Sequence, residues 1–115
     1  MHHLFDPEPF VQRQLEAYNA RDLDRFLAEY TDDVVALRLP GEQVVASGKV
    51  AFGEHYRKNR FSLPGLHAEL FKRMVFGNKV IDHERVVGVG DAPMEVAAIY
   101  EVTPQGIRRV WFLAA

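Results

Sequence analysis

Cysteine is absent from all 115 residues, and with it go a disulfide framework, a thiolate nucleophile and a thiolate metal site. No apolar run approaches the length that spans a bilayer, and the opening MHHLFDPEP lacks the basic start and apolar middle of a signal peptide. A soluble, cytoplasmic protein with no membrane partner is the default expectation. Charge of one sign is not in excess: 14 Lys and Arg stand against 16 Asp and Glu, a formal net charge of -2, and the bases are interspersed among the acids. That leaves no electrostatic footprint for nucleic acid. Metal-ligand spacing is missing too, since His55, His67 and His83 have no histidine one helical turn away and no ligand cluster around them. Neither a phosphate-cradling glycine motif nor a serine elbow occurs, and neither a metal nor another cofactor is expected. His2 and His3 fall in a terminus, residues 1–8, that reads as mobile and is given no role.

What is present suits one domain over 1–115. A hydrophobic content of 48% with 26% charged residues is ordinary for a globular chain, and at this length roughly two thirds of the unfolded surface can be buried around one core. From Pro9 onward, Val11, Leu15 and Tyr18 recur at helical spacing, with Phe10 and Gln14 flanking the stripe, which predicts an amphipathic helix to about Ala20. Asp22 is placed to cap a second helix, because its carboxylate can accept from the free amides of the next turn. Leu23, Phe26, Leu27 and Tyr30 give that helix one apolar face, and Thr31 to Asp33 close it. Val34 to Leu39 and Gln43 to Ala46 read as strands around a Pro40-Gly41 turn. Ser47 and Gly48 precede a third helix, about Lys49 to Asn59, with Phe52, His55, Tyr56 and Asn59 on one side.

The remainder reads as strand after strand: His67 to Phe76, Lys79 to Gly88, Met94 to Thr103 and Ile107 to Ala114. Gly77-Asn78 and Pro104-Gln105-Gly106 suit short hairpin turns, and Gly88 to Pro93 a longer one. Helices come first and long strands after, so the expected class is α+β, with three N-terminal helices packed on one face of a curved, mainly antiparallel sheet. Period-two alternation puts Arg38 with Val34 and Ala36, and Tyr100 with Val96, Ala98 and Val102. In VIDHERV, Val80 to Val86, it puts Asp82 and Glu84 on one face and His83 and Arg85 on the other, without saying which face is inside. One set can furnish a pocket acid or base, and the preferred reading makes most of these charges structural.

Several stretches resemble a known superfamily. Val11-Gln12-Arg13, Asn19-Ala20, Asp22-Leu23-Asp24 and Asp32-Asp33 match, without a gap, the ketosteroid isomerase branch of the nuclear transport factor two-like superfamily. Tyr100-Glu101-Val102, Gln105-Gly106-Ile107 and Val110-Trp111-Phe112 are similar to the last two strands of its SnoaL-like group. The resemblance implies a cystatin-like cone, an α+β barrel whose open end holds a mostly apolar pocket. Fold does not fix reaction. The isomerase branch carries a first-helix tyrosine that donates to the substrate oxygen, a carboxylate before the first strand's proline that moves the proton, and a protonated carboxylic acid in the penultimate strand. The corresponding positions here hold Gln14, Arg38 or Leu39, and about Tyr100. None of the three matches, so isomerisation by that mechanism is not carried over.

The candidate groups are then as follows. His55, the side chain best suited to moving a proton near neutral pH, is expected in the pocket beside Tyr56, which matches a tyrosine supporting the oxyanion donor of the isomerases. Arg38 can meet a carboxylate or enolate oxygen at the cavity mouth, and Tyr100 holds the matched position in the fifth strand. His55, Arg38 and Tyr100 are the catalytic candidates, and Gln14, Tyr18, Tyr30 and Tyr56 the ligand-binding ones. The expected protein is a homodimer that binds a small, partly apolar organic ligand and performs isomerase, cyclase or hydratase-type proton transfer. The competing expectation is a noncatalytic interaction module that binds another protein through the sheet's outer face around Trp111.

Overall fold

A computed structural model describes residues 5–115; His2 and His3, and the part of the expected mobile terminus that precedes Phe5, lie outside the described residues. The elements run α1 (Glu8–Asn19), α2 (Leu23–Leu27), β1 (Tyr30–Arg38), β2 (Gln43–Ser47), α3 (Lys49–Asn59), β3 (His67–Phe76), β4 (Lys79–Val87), β5 (Met94–Thr103) and β6 (Gly106–Ala114). Helix α1 opens where Asp6 Oδ1 accepts from the amide of Glu8 at 3.0 Å, and it buries Val11, Gln14, Leu15 and Ala17. Asp22 caps α2 as expected, accepting from the amide of Arg25 at 3.2 Å.

One boundary differs from the expectation. Tyr30, read as the last apolar position of the second helix, instead opens β1 and pairs in parallel with Ile107. The amide of Ile107 donates to the carbonyl of Glu29 at 2.8 Å, so a distant strand claims the backbone that a longer helix would have used. A five-residue helix has little cooperativity with which to resist. The side chain still reaches Phe26, with ring centroids 4.9 Å apart.

The strands form one sheet in the order β2-β1-β6-β5-β4-β3. Every neighbouring pair is antiparallel except β1 with β6, which is parallel. The sheet is therefore mixed and not closed: β2 and β3 remain its edges, and the barrel of the expectation is an open one. Helix α1 packs toward β3 and β6 and α3 toward β1 and β2, both on the same face. Between them lies an aromatic cluster of Phe26, Tyr30, Phe52, Tyr56 and Phe61, in which Phe26 and Phe52 are fully buried. Truncating such a ring to alanine costs about 3–5 kcal/mol.

Two local devices fasten β3 and the loop after β4. Asn19, at the end of α1, donates through Nδ2 to the carbonyl of Ala68 at 2.9 Å and accepts from the Ala68 amide at 2.8 Å. Its side chain thus pairs with β3 as a neighbouring strand would. Gly88 sits at φ 86 against Gly65, where a Cβ would fall 2.2 Å from the Gly65 carbonyl. Only glycine meets both conditions.

Candidate functional site

Between the helices and the concave face of the sheet lies a cavity of about 300 Å³. Helix α1 contributes Gln14, Leu15 and Tyr18 to its wall, α3 contributes His55 and Tyr56, and Arg60 follows at the end of α3. The strands supply Arg38 from β1, Glu84 and Val86 from β4, Val96 and Tyr100 from β5, and Phe112 from β6. Gln14, Tyr56, Glu84 and Tyr100 are buried and form the deep part, whereas Arg38, Pro40, Leu113 and Ala114 are exposed and form the opening. The walls are mainly apolar, with a few convergent polar groups, which is the usual make-up of a small-molecule site.

The deep polar groups form a chain. Tyr30 Oη donates to Gln14 Oε1 at 2.9 Å, and Gln14 Nε2 donates to the carbonyl of Val11 at 3.0 Å and to Tyr100 Oη at 3.3 Å. Gln14 is fully engaged and fixed in orientation. Tyr100 Oη accepts in this chain, so its own O–H proton is left to point into the cavity. Burial raises the Tyr100 hydroxyl well above its ordinary value, with the charge of Glu84 adding to the effect. It stays a donor at any physiological pH. Burial likewise pushes Tyr18 up to about 12.

Glu84 differs from every other carboxylate of the molecule. It is 6% exposed, its residue lines the cavity, and among the described residues it takes part in no ion pair. Desolvation raises its pKa to about 7; the charge of Asp82 pushes the same way, and Arg73 pulls it part of the way back. Asp82, two residues earlier on the same strand face, is held quite otherwise. Arg73 donates to it through Nε at 2.7 Å and through another guanidinium nitrogen at 2.9 Å, and Arg73 Nη1 also donates to Gln12 at 2.9 Å. Asp82 is a structural anchor between β3, β4 and α1, and Glu84 is a carboxyl poised to carry or release a proton near neutrality.

At the opening stand Arg38, Arg60 and His55. Burial lowers the pKa of His55, and Arg60 and then Arg38 lower it further, so the imidazole is neutral at pH 7. Asn59 Nδ2 lies 3.3 Å from His55 Nδ1 and also donates to the His55 carbonyl at 3.0 Å. An amide that donates to Nδ1 leaves the ring proton on Nε2.

Of the residues singled out from the sequence, His55, Arg38, Tyr100, Gln14, Tyr18 and Tyr56 all line this cavity. Tyr30 stands one hydrogen bond behind the wall and reaches the cavity through Gln14. Arg60 was not singled out from the sequence, and Glu84 only with Asp82 as one of two strand faces able to furnish a pocket acid or base; both line the cavity. Alternation correctly placed Glu84 beside Asp82, but both faces of that strand mix charged and apolar residues. Only the register that sets Glu84 against Val96 and Asp82 against Ala98 shows which face is inside.

With this geometry in view, the comparisons with known proteins fall into place. A sequence search against curated proteins returns no match. Among solved structures, an uncharacterised cystatin-fold protein from Novosphingobium aromaticivorans superposes with a TM-score of 0.83 at 25% identity, covering 95% of this chain and 98% of that one. A Kribbella flavida protein provisionally named a ketosteroid isomerase gives 0.79 at 15% identity, covering 93% and 76%. A Sinorhizobium meliloti protein provisionally named a polyketide cyclase gives 0.78 at 19% identity, covering 94% and 99%. At such identities the last two speak to the fold alone. The sequence model of the SnoaL-like domain matches residues 11–110, and the chain belongs to that family.

Proposed function

We propose that this protein binds a small, largely apolar carbonyl compound in its cavity and moves a proton on it, with Glu84 as the acid-base group and Tyr100 as the donor to the carbonyl oxygen. The observation that carries this reading is Glu84: a buried carboxyl that lines the cavity, makes no ion pair and titrates near neutrality. As carboxylate it takes a proton from the carbon next to the carbonyl. The C–H electron pair moves into a C=C bond and the carbonyl pair onto oxygen, where the Tyr100 O–H stabilises the enolate. Glu84, now protonated, returns the proton to the same or a second carbon. The net change is an isomerisation, and the same enolate serves a cyclisation or an elimination. In this scheme His55, Arg38 and Tyr18 position the ligand, and Gln14 and Tyr30 hold Tyr100.

The experiment is deuterium exchange at the methyl group of 2-acetonaphthone in D₂O, followed by proton NMR. The protein accelerates exchange over buffer, Glu84→Gln removes about 10²-fold or more of the enzymatic rate, and Tyr100→Phe removes about 10-fold or more. Exchange no faster than in buffer, or full exchange by folded Glu84→Gln, would overturn the proposal.

A second copy of the chain is the proposed partner. Met74, Ile81, Ile99, Trp111, Leu37 and Val44 are consecutive partners in the strand ladders, so they form one apolar row across all six strands on the face away from the helices. Met74 and Val44 are exposed at its two ends. Beside the row, acids and bases alternate as Glu95 with His83 and Glu69 with Arg85, so two copies related by a two-fold axis meet without like-charge repulsion.

A further inference from the structure

The opening of the cavity carries a feature that proton transfer by Glu84 does not use. Arg38 and Arg60 both line it, yet they come from opposite walls, the end of β1 and the residue that caps α3. Among the described residues neither guanidinium has a carboxylate within ion-pairing distance. Arg60 gives one N–H to the carbonyl of Asn59 at 2.9 Å and also engages the Tyr18 hydroxyl, which leaves part of its donor fork for something else. Most other arginines of the molecule are committed: Arg13 to Glu29, Arg57 to Glu54, Arg73 to Asp82, Arg85 to Glu69 and Arg108 to Glu101. What sets Arg38 and Arg60 apart from the other arginines without a carboxylate is that both line one apolar cavity.

His55 sharpens the point. It lines the same opening and both arginines depress its pKa, so the rim carries two fixed positive charges and a neutral donor. Arg60 also lowers the Tyr18 and Tyr56 hydroxyls against the effect of burial, so its charge is felt along the aromatic wall as well as at the rim. A neutral ligand would leave this charge uncompensated each time the cavity closed over it. A planar anion at the outer end of an apolar body would be met by guanidinium forks from two sides.

We infer that the ligand carries a carboxylate, held at the rim by Arg38 and Arg60 with the Nε2–H of His55 beside them, and extends its apolar carbonyl-bearing part inward toward Tyr100 and Glu84. This rests on the proposed function and names the substrate class of the same site: small, partly apolar keto acids. It also assigns polarity, since the charged end must face outward. The reverse orientation would bring the carboxylate onto Glu84.

The test compares 2-naphthoate with 2-naphthamide, which share shape and differ in charge, by isothermal titration and amide NMR at about pH 6, where Glu84 is mostly protonated. The carboxylate is expected to bind about tenfold or more tighter than the amide, to move the resonances of Ala98 and Tyr100, and to lose most of that preference in Arg38→Gln/Arg60→Gln. Circular dichroism and the amide spectrum of the free double variant should match those of the wild type, which shows that the variant is folded. Equal affinity for the two probes, a preference that survives the double substitution, or binding that leaves Ala98 and Tyr100 unmoved would overturn the inference. In those cases the deuterium-exchange result decides separately whether Glu84 and Tyr100 act on neutral ketones. Failure of both probes to bind the wild type would overturn the inference and the ligand cavity together.

Discussion

At Glu84 the physical chemistry makes the proposed role visible in stability as well as in turnover. Its pKa is raised from about 4.5 in the unfolded chain to about 7 in the native state, so between those values the native protein binds more protons than the unfolded one. Stability therefore falls as pH rises through this window. The penalty is absent below about pH 4.5 and complete above about pH 7, and it amounts to about 3 kcal/mol. The groups that interact electrostatically with Glu84 are Tyr18 from α1, Tyr30 from β1, Tyr56 from α3, Asp82 on β4, Arg73 from β3 and Tyr100 from β5. The tyrosines do not titrate in the window. Glu84→Gln should leave stability near that of the wild type at pH 5, and at pH 8 it should be more stable by up to about 3 kcal/mol. Urea unfolding at the two values measures the difference, in which the titration of His55 cancels because both proteins share it. A gap that does not widen with pH would mean that Glu84 is not desolvated as described. The sequence showed that Asp82 and Glu84 share a face, because that follows from alternation within one strand. It did not show that Arg73, nine residues away across the β3/β4 ladder, claims Asp82 and leaves Glu84 unpaired.

Elements whose signals are local were legible. Asp22 caps α2 through its own side chain, and β3 to β6 begin and end within a residue or two of the turn residues that bound them. Tyr30 was not, because a pairing with residues more than seventy positions away decides its state. The end of α1 was legible to within a residue, but not the two-bond clamp that Asn19 makes there on β3. The loop closing β4 shows the same mixture. Gly88 is an evident turn residue, but its close approach to Gly65 is a tertiary fact. Two glycine substitutions separate the effects. Gly77→Ala meets a positive φ of 64 and open space, and should cost about 1 kcal/mol. Gly88→Ala meets a positive φ and a backbone carbonyl, and should cost about 3 kcal/mol or more, lowering Tm by roughly 10 °C or more. Thermal unfolding of the two variants side by side measures both. Equal losses would remove the Gly65 contact from the account.

Over the whole molecule, the two faces of one sheet carry two different messages. The inner face is closed by helices and holds a cavity with one poised carboxyl. The outer face is uncovered, and its apolar row from Met74 through Trp111 to Val44 runs the full width of the sheet. Exposed Phe71 and Leu113 lie in the neighbouring row. An apolar band of that extent on a 13.1 kDa chain is larger than isolated surface leucines explain. Among the described residues no helix is long and apolar enough to cross a membrane, and the edge of the band is studded with paired charges, which suits a protein surface better than a lipid one. Face-to-face pairing of two sheets would bury the row against its own copy. Sedimentation equilibrium should then give twice the chain mass. Met74→Glu changes an exposed side chain at little cost to the monomer and should shift the equilibrium to single chains, and Trp111→Ala at the centre of the row should do so more completely. Both variants should keep a concentration-independent Tm below that of the wild type, whose Tm rises with concentration. A wild-type protein that sediments as one chain at every concentration would leave the outer row free for a different protein and remove the second copy from the description.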